Sequence, residues 1–369
     1  MDLGRKAPLK VARHGGYRYN CDMRAYVIVG AGAVGSALGG YLSRRGHPVH
    51  LVGREAHVEA IQKQGGLNVV CRAEAFLAPL TASAYIPDAL PDDSILFLTV
   101  QSPDVEKTLI EWRGFAGLPL VTWQNGLRAE DTASRYFADV YGGVVRFTST
   151  LLVPGEVRLR SPGSLILGRW PRGKNALSAE IAGDLGKAGF HLAESAEIAE
   201  DKALKLLVNL VSGPAVLLHR TEKEPVLAAV QVALLEEAFR VFGAAGIRAL
   251  PTSGIGETED ALLALFKSGG QKPDTAGGVY NSTWQNLHYR RARLENDYYH
   301  GEIIRFGRIF GIPTPVNERA LELLESARKA GLGPETLDVE AFRARFADVV
   351  NFEELIEPEA LNAPSGLEI

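Results

Sequence analysis

Lys205 and Asn209 stand four residues apart in the stretch Ala203-Leu-Lys-Leu-Leu-Val-Asn209, a spacing that puts both side chains on one face of a helix. Leu204, Leu206, Leu207 and Val208 surround the lysine with apolar side chains, and partial burial lowers a lysine pKa toward neutrality. An amine held that way can protonate the alkoxide that develops when a hydride reaches a ketone. The same pattern also suits an exposed lysine on an amphipathic helix. Lys202, one turn earlier, is the local rival for any proton-donor role.

A second group of residues points to what would supply the hydride. Gly30-Ala31-Gly32-Ala33-Val34-Gly35 is a GxGxxG run that leaves the apolar, β-branched strand Ala25–Gly30 and opens a stretch with helical spacing, Val34–Leu42. In such a loop the first glycine allows a tight turn, the second lets backbone approach a pyrophosphate, and the third packs the helix on the strand. The helix N-terminus then attracts the anion. With 39 glycines in the chain the motif alone is weak, but its strand-loop-helix setting makes it a dinucleotide site. The next strand ends Leu51-Val52-Gly53-Arg54-Glu55. An arginine at that place suits a 2′-phosphate, so NADP(H) is the expected cofactor. The alternative is Glu55 on the ribose hydroxyl of NAD, with Arg54 a solvated surface charge.

These residues need a scaffold, and the hydrophobic pattern outlines one. Strand-like runs at Ala25–Gly30, Pro48–Val52, Ser94–Val100 and Leu118–Trp123 alternate with helical stretches near Arg54–Gln64, Asp104–Trp112 and Ala129–Phe137. Alternation of this kind means crossover connections and a mostly parallel sheet, a Rossmann-type α/β domain. From Val144 to Trp170 the pattern turns to strand-turn-strand, predicting an antiparallel edge, and Ala176–Gly189 reads as one more helix. Past about Glu197 strand signals vanish, and an all-α C-terminal domain is expected from helices at Glu200–Leu218, Pro225–Ala245, Glu259–Lys267 and Trp284–Phe310. A last helix starts at Thr314-Pro315, a threonine cap followed by proline at the first helical position. The expected division is residues 1–22 as a disordered basic leader, 23–196 as the dinucleotide-binding domain, 197–344 as the helical substrate domain, and 345–369 as a weakly patterned acidic tail.

Composition narrows the field. The chain has 369 residues, 46% hydrophobic and 23% charged, enough for two ordinary globular domains. A net charge of -4 argues against nucleic acid or anionic lipid as a partner. No apolar run reaches the ~20 residues of a membrane span. Two cysteines, Cys21 and Cys71, make no disulfide framework and suit a reducing cytoplasm. The eight histidines lack metal-ligand spacing such as HExxH, so no metal is expected. GxSxG and Walker signatures are missing as well. The long helices of the second domain favour a homodimer.

Taken in order, several pieces resemble the ketopantoate reductase (2-dehydropantoate 2-reductase) family. They are the Gly30–Gly35 loop, Asn125-Gly126, Lys205–Asn209, Ser282–Asn286, Glu295–Gly301 and Gly311–Asn317, spread from Met23 to Leu324. The resemblance implies NADPH-dependent reduction of a 2-oxo acid to a 2-hydroxy acid, of the kind used in pantothenate biosynthesis. It makes Lys205 the proton donor and gives Glu295 a substrate hydroxyl to bind or the lysine to hold, although Glu295 also reads as an ion-pair partner for Arg291. It makes Asn125 and Asn209 amides for a carboxylate or the nicotinamide carboxamide, and puts Thr283 where the family has a serine for the substrate carboxylate. Gln101 stands in place of a lysine near the cofactor phosphate or the reacting centre. Gly213 replaces a second substrate-binding asparagine, Leu287 an aspartate, and His300 an asparagine before the glycine.

Those departures imply an intact hydride site with an altered recognition layer, hence a different, bulkier or more apolar 2-oxo acid. His300, beside Tyr298 and Tyr299, reads on its own as a packing residue, and Trp284, Tyr289, Tyr298 and Tyr299 as core or dimer contacts. The alternatives are another two-domain dehydrogenase, of opine or 3-hydroxy-acid type, and a nucleotide-binding sensor without catalysis.

Overall fold

The computed structural model describes residues 11–14, 17–20, 23–72, 74–219, 224–268 and 280–353. Strands β1 (Val11–His14) and β2 (Tyr17–Asn20) form a separate antiparallel hairpin within the stretch expected to be a disordered leader. The rest of that leader lies outside the described residues.

The first large unit runs β3 (Tyr26–Val29), α1 (Ala33–Arg44), β4 (Val49–Val52), α2 (Glu55–Gln64), β5 (Leu67–Cys71), β6 (Glu74–Ala78), β7 (Thr81–Ser83), β8 (Ile95–Leu98) and α3 (Val105–Trp112). It continues through β9 (Leu120–Thr122), α4 (Ala129–Ala133), β10 (Val140–Arg146), β11 (Ser149–Thr150), β12 (Glu156–Leu159), β13 (Ser164–Arg169), α5 (Ala176–Ala188) and β14 (His191–Glu194). Eight strands make one sheet in the order β14-β13-β10-β9-β8-β3-β4-β7, parallel throughout except where β13 meets β10. Both faces are covered, which is why the strands carry near-continuous apolar residues. Ile28, Phe97 and Val121 pack under α1 and α5, while Val29, Leu98 and Leu120 pack against Trp112 and Phe137.

A smaller sheet, β11-β12-β5-β6, lies beside the main one; the sequence reading had no strand at β5, β6 or β7. Those strands alternate partly exposed residues and lack a long apolar run. The helix expected over Ala129–Phe137 closes at Ala133, where Arg135 and Tyr136 bond three residues back, to the Thr132 and Ala133 carbonyls, in tighter turns. From β3 the chain passes to β4 on one side and later to β8 on the other. The carboxyl ends of β3, β8, β9 and β10 therefore flank the point where the strand order reverses, the place where open α/β sheets bind ligands.

After β14 the described chain is helical: α6 (Ile198–Ala215), α7 (Pro225–Ala245), α8 (Glu259–Lys267), α9 (Ser282–His288), α10 (His300–Phe310), α11 (Pro315–Lys329) and α12 (Val339–Phe346). Leu206, Leu210, Leu235, Phe242, Leu262 and Ile303 form the core shared by α6, α7, α8 and α10. No helix of the described residues is long and apolar enough to cross a membrane.

Three differences from the sequence reading matter here. The single helix expected over Trp284–Phe310 is two helices, with Arg290 in a left-handed conformation and a 3-10 turn at Asn296–Tyr298 between them. No proline or glycine marks the break; contacts to the first unit, described below, override helical propensity. The threonine at 314 makes no side-chain cap. The buried Glu237 carboxylate of α7 instead accepts Val316 N at 2.9 Å and Asn317 N at 3.0 Å at the start of α11. Part of the acidic tail is also core: Phe346, Val350 and Phe352 are buried with Leu234 and Val316.

Candidate active site

The GxGxxG loop is built as its sequence requires. Gly30 has φ +100°, and a Cβ there would stand 2.4 Å from Val100 N. At Gly35 a Cβ would meet Thr99 Oγ1 at 2.4 Å and Gly30 O at 2.5 Å, so both outer glycines permit close approach of backbone to β8. Thr99 Oγ1 reaches Val29 O (3.0 Å) and Gly30 O (2.8 Å) and fixes the turn. The middle glycine is different. Gly32 is exposed, with no atom nearer than 3.8 Å to a Cβ placed on it, so its backbone and the free N–H groups that open α1 line an open cradle. A dinucleotide pyrophosphate fits that cradle.

Arg54 is the exposed residue between Gly53 and α2. Across the cleft Arg291, from the loop after α9, has its pKa lowered by burial first and by the Arg54 charge second. Among the described residues neither guanidinium has a hydrogen-bonded or ion-paired carboxylate, so two cations share one edge of the cleft. The Glu295 charge offsets part of that shift, but among the described residues it makes no ion pair with Arg291. Glu295 Oε1 instead accepts from Ser102 N and Ser102 Oγ, both at 3.2 Å, and Oε2 accepts from Tyr299 Oη at 3.3 Å.

Those bonds are part of a seam joining the two units. Ser102 Oγ also reaches Asn125 O (3.4 Å), and Gln101 Nε2 donates to Asn286 Oδ1 (3.4 Å). The Tyr299 hydroxyl sits beside the side chains of Asn125 and Ser282, and burial together with Glu295 raises its pKa. Arg128 ion-pairs with the buried Glu302 and with Asp297 (3.2 Å), and lies 4.8 Å over the Tyr298 ring. Asn296, Asp297 and Tyr298 can make these contacts only because the helix is interrupted before α10. Gln101, Asn125 and Glu295, picked out from sequence, are thus brought to one place. Ser102, Arg128 and Tyr299 were missed, since a strand-end serine, a loop arginine and a helix-start tyrosine carry no pattern of their own.

The two lysines of α6 have opposite environments. Lys202 is 3% exposed; its Nζ lies 2.6 Å from Glu130 Oε1 and donates to Gln124 O at 2.7 Å. Thr122 Oγ1 adds a 2.6 Å bond to the same carboxylate oxygen. Lys202 is a buried cross-domain strut. Lys205 has no such partner among the described residues: its pKa is pushed down to about 8 by burial first and by the nearby Arg146 charge second. Arg146 ends β10 at the carboxyl edge of the sheet, and burial lowers its own pKa against the pull of Glu257 and Asp201.

Lys205, Asn209 and Gly213 recur every four residues along α6 and so line one face. Facing Gly213 are Asn296 and His300; a Cβ at 213 would stand 2.7 Å from His300 Nε2 and 3.2 Å from Asn296 Nδ2. The buried Thr283 hydroxyl reaches Asn296 Oδ1 at 3.5 Å, so Thr283 belongs to the same pocket. Among the described residues, two buried nitrogens at this point have no hydrogen-bond partner, Nδ2 of Asn296 and Nε2 of His300, and the buried Nδ2 atoms of Asn209 and Asn286 have none either. Unpaired polar atoms at that depth are costly, and the pairing of His300 Nε2 with Asn296 Nδ2 over Gly213 marks a place where a polar ligand completes the bonds. The aromatic group sorts itself: Trp284 stacks on Tyr280 and His288, Tyr299 is core, and Tyr289 is exposed.

Two family models match this chain: ketopantoate reductase PanE/ApbA over residues 26–172, and ketopantoate reductase PanE/ApbA C terminal over residues 197–328. A 2-dehydropantoate 2-reductase of Pyrococcus horikoshii is 26% identical over 320 residues, 84% of this chain and 99% of the relative. The crystal structure of a PanE/ApbA family ketopantoate reductase from Ralstonia eutropha is similar with a TM-score of 0.70 and 26% identity, over 83% of this chain and 99% of that one. D-mandelate dehydrogenase, solved with NADH and anilino(oxo)acetate, shares the fold at a TM-score of 0.71 and 24% identity, over 83% and 99% of the two chains.

Proposed function

The chain belongs to the ketopantoate reductase family, a family of nicotinamide-dependent oxidoreductases that reduce a 2-oxo acid, and on that premise we propose that Lys205 is the proton donor and NADPH the reductant. The observation that carries the reading is the contrast on α6: one lysine is consumed by a buried ion pair, and the other, unpaired among the described residues, has a pKa near 8 beside Arg146 at the end of β10.

The dinucleotide, when bound, supplies the hydride. The chain's own residues do the rest. The Gly30–Gly35 backbone, with Ala31, Ala33 and Val34, and the start of α1 receive the pyrophosphate. Arg54, supported from the far side by Arg291, takes the 2′-phosphate; two unpaired cations at that edge favour NADPH over NADH. Residues 23–196 hold the dinucleotide, and residues 197–344 close over the acid. Asn125 and Asn209 offer amides to the carboxylate and the carboxamide, and Thr283 offers its hydroxyl to the substrate carboxylate. Lys205 Nζ–H protonates the developing alkoxide oxygen and is recharged from solvent. Glu295, tied to Ser102 and Tyr299, holds the two units in register about the reacting carbon. The substrate of the curated relatives, 2-dehydropantoate, is the first acid to assay.

Lys205→Ala tests this directly. Turnover of NADPH with 2-dehydropantoate should fall by about 10²–10⁴-fold, the usual worth of a positioned general acid, while the Kd for NADPH stays within about threefold. Near-normal turnover in the variant rejects the assignment.

A further inference from the structure

The residue that most changes the pocket is His300, and its protonation state can be read from its neighbours. It opens α10, is 0% exposed, and burial lowers its pKa to about 4, so the ring is neutral at pH 7. Its Nδ1 faces Asn317 Oδ1 at 2.9 Å. The orientation of that amide is fixed in turn, because Asn317 Nδ2 donates to Glu237 Oε2 at 2.8 Å. An amide whose nitrogen is held by a carboxylate presents its oxygen as acceptor, so the histidine proton must sit on Nδ1. Nε2 therefore carries a bare lone pair, buried and without a donor.

The opposite need lies alongside. Asn296 Nδ2 is a buried donor with no acceptor, its Oδ1 being turned to Thr283. Both atoms meet over Gly213, and they make no hydrogen bond to each other. Any side chain at 213 would fill the gap: a single Cβ comes within 2.7 Å of Nε2. Gly213 and His300 thus belong together, the ring from α10 entering space left free on α6. One group satisfies an acceptor and a donor at once, an O–H that donates to Nε2 and accepts from Nδ2.

We infer that His300 and Asn296, across Gly213, form a hydroxyl-reading subsite that selects 2-oxo acids bearing a hydroxyl on the chain beyond the ketone. The inference rests on the proposed reduction of a 2-oxo acid in this cleft and deepens it. It also answers the loss of the asparagine at 213, since the polar contact is supplied from another helix rather than abandoned. The substrate stays hydroxylated.

Two substrates and two variants test it. NADPH oxidation is followed with 2-dehydropantoate and with its deoxy analogue, which has the same carbon skeleton and no hydroxyl. The wild type should prefer the hydroxylated acid by about 10²-fold or more in kcat/KM, as sites built to hydrogen-bond a hydroxyl do. His300→Leu should bring the preference to within about tenfold by losing the hydroxylated acid alone, with the analogue changed by less than about threefold. His300→Gln keeps an acceptor at the end of a side chain of similar reach and should retain most of the preference; it also serves if the leucine variant does not fold. Equal use of both acids by the wild type overturns the inference, as does an unchanged preference in a folded His300→Leu, which would mean that a buried water alone fills the gap. If the wild type binds NADPH but reduces neither acid, the proposed reaction itself fails and takes the subsite with it.

Discussion

Lys202→Met removes the ammonium from an ion pair whose two side chains are 2% and 0% exposed, leaving the Glu130 carboxylate buried with one of its oxygens already unpartnered. Breaking a buried pair from one side costs about 3–5 kcal/mol, because the surviving charge has no water to solvate it. The Thr122 hydroxyl keeps its bond to Oε1 and holds the loss within that range. For a chain of 369 residues, with an unfolding entropy of roughly 2.1 cal/mol/K per residue, this corresponds to a drop in Tm of about 4–6 °C. Urea and thermal melts measure it, and a double-mutant cycle with Glu130→Gln should give a coupling of at least ~2 kcal/mol, since neutralising the acid removes most of the penalty. Turnover of the folded variant should stay within about tenfold of wild type, a barrier change of about 1.4 kcal/mol. A stability loss under ~1 kcal/mol would place the pair among solvated bridges and refute its role as a strut. Turnover lost as deeply as in Lys205→Ala, with an unchanged melt, would make Lys202 the acid.

The pH profile gives an independent reading of Lys205. In the proposed role the ammonium gives up its proton during reduction, so kcat/KM should be level below about pH 8 and fall about tenfold per unit above it, and Lys205→Ala should abolish that limb. At the other end of the cleft, Arg54→Ser removes one cation of the pair with Arg291; the Kd for NADPH should rise by about 10–100-fold, the worth of a charge-assisted bond, and that for NADH by less than about threefold. Equal losses for both dinucleotides, measured by fluorescence titration, would assign Arg54 to the shared pyrophosphate or the fold.

Much of the scaffold was legible because its signals are local. The buried strands β3, β4, β8 and β9 read directly from runs of branched apolar residues, and the glycine loop from its own spacing. α7 and α8 match their expected bounds because both begin at strong signals: Pro225 at the first helical position in one, and Thr258 accepting from Ala261 N in the other. What was not legible depends on partners far away in sequence. The interruption before α10 leaves no mark in composition, since Glu295, Asp297 and Tyr298 leave the helix to meet Ser102 and Arg128 of the other unit. Likewise the cap of α11 was assigned to the adjacent threonine, whereas a carboxylate from α7 does the work at a distance. A short strand such as β7 forms because β4 offers it an edge, not because Thr81–Ser83 has strong preferences.

The same distinction governs the recognition residues. Taken one at a time, glycine at 213 is a lost amide and histidine at 300 an odd replacement, and with Gln101 and Leu287 they suggested a different, bulkier or more apolar 2-oxo acid. In three dimensions they are one change: the ring needs the absence of a Cβ at 213, and the Glu237–Asn317 pair that caps α11 also sets which ring nitrogen carries the proton. A helix cap thereby decides the chemistry a substrate meets. Loosening the cap while keeping the acceptor should lower stability and leave selectivity in place: with Asn317 changed to aspartate, an acceptor still faces Nδ1 but a second acid crowds Glu237. The tautomer would survive while α11 loosens, so the hydroxyl preference should persist as stability falls. A preference lost while the acceptor at 317 is retained would separate selectivity from the tautomer and refute the reading.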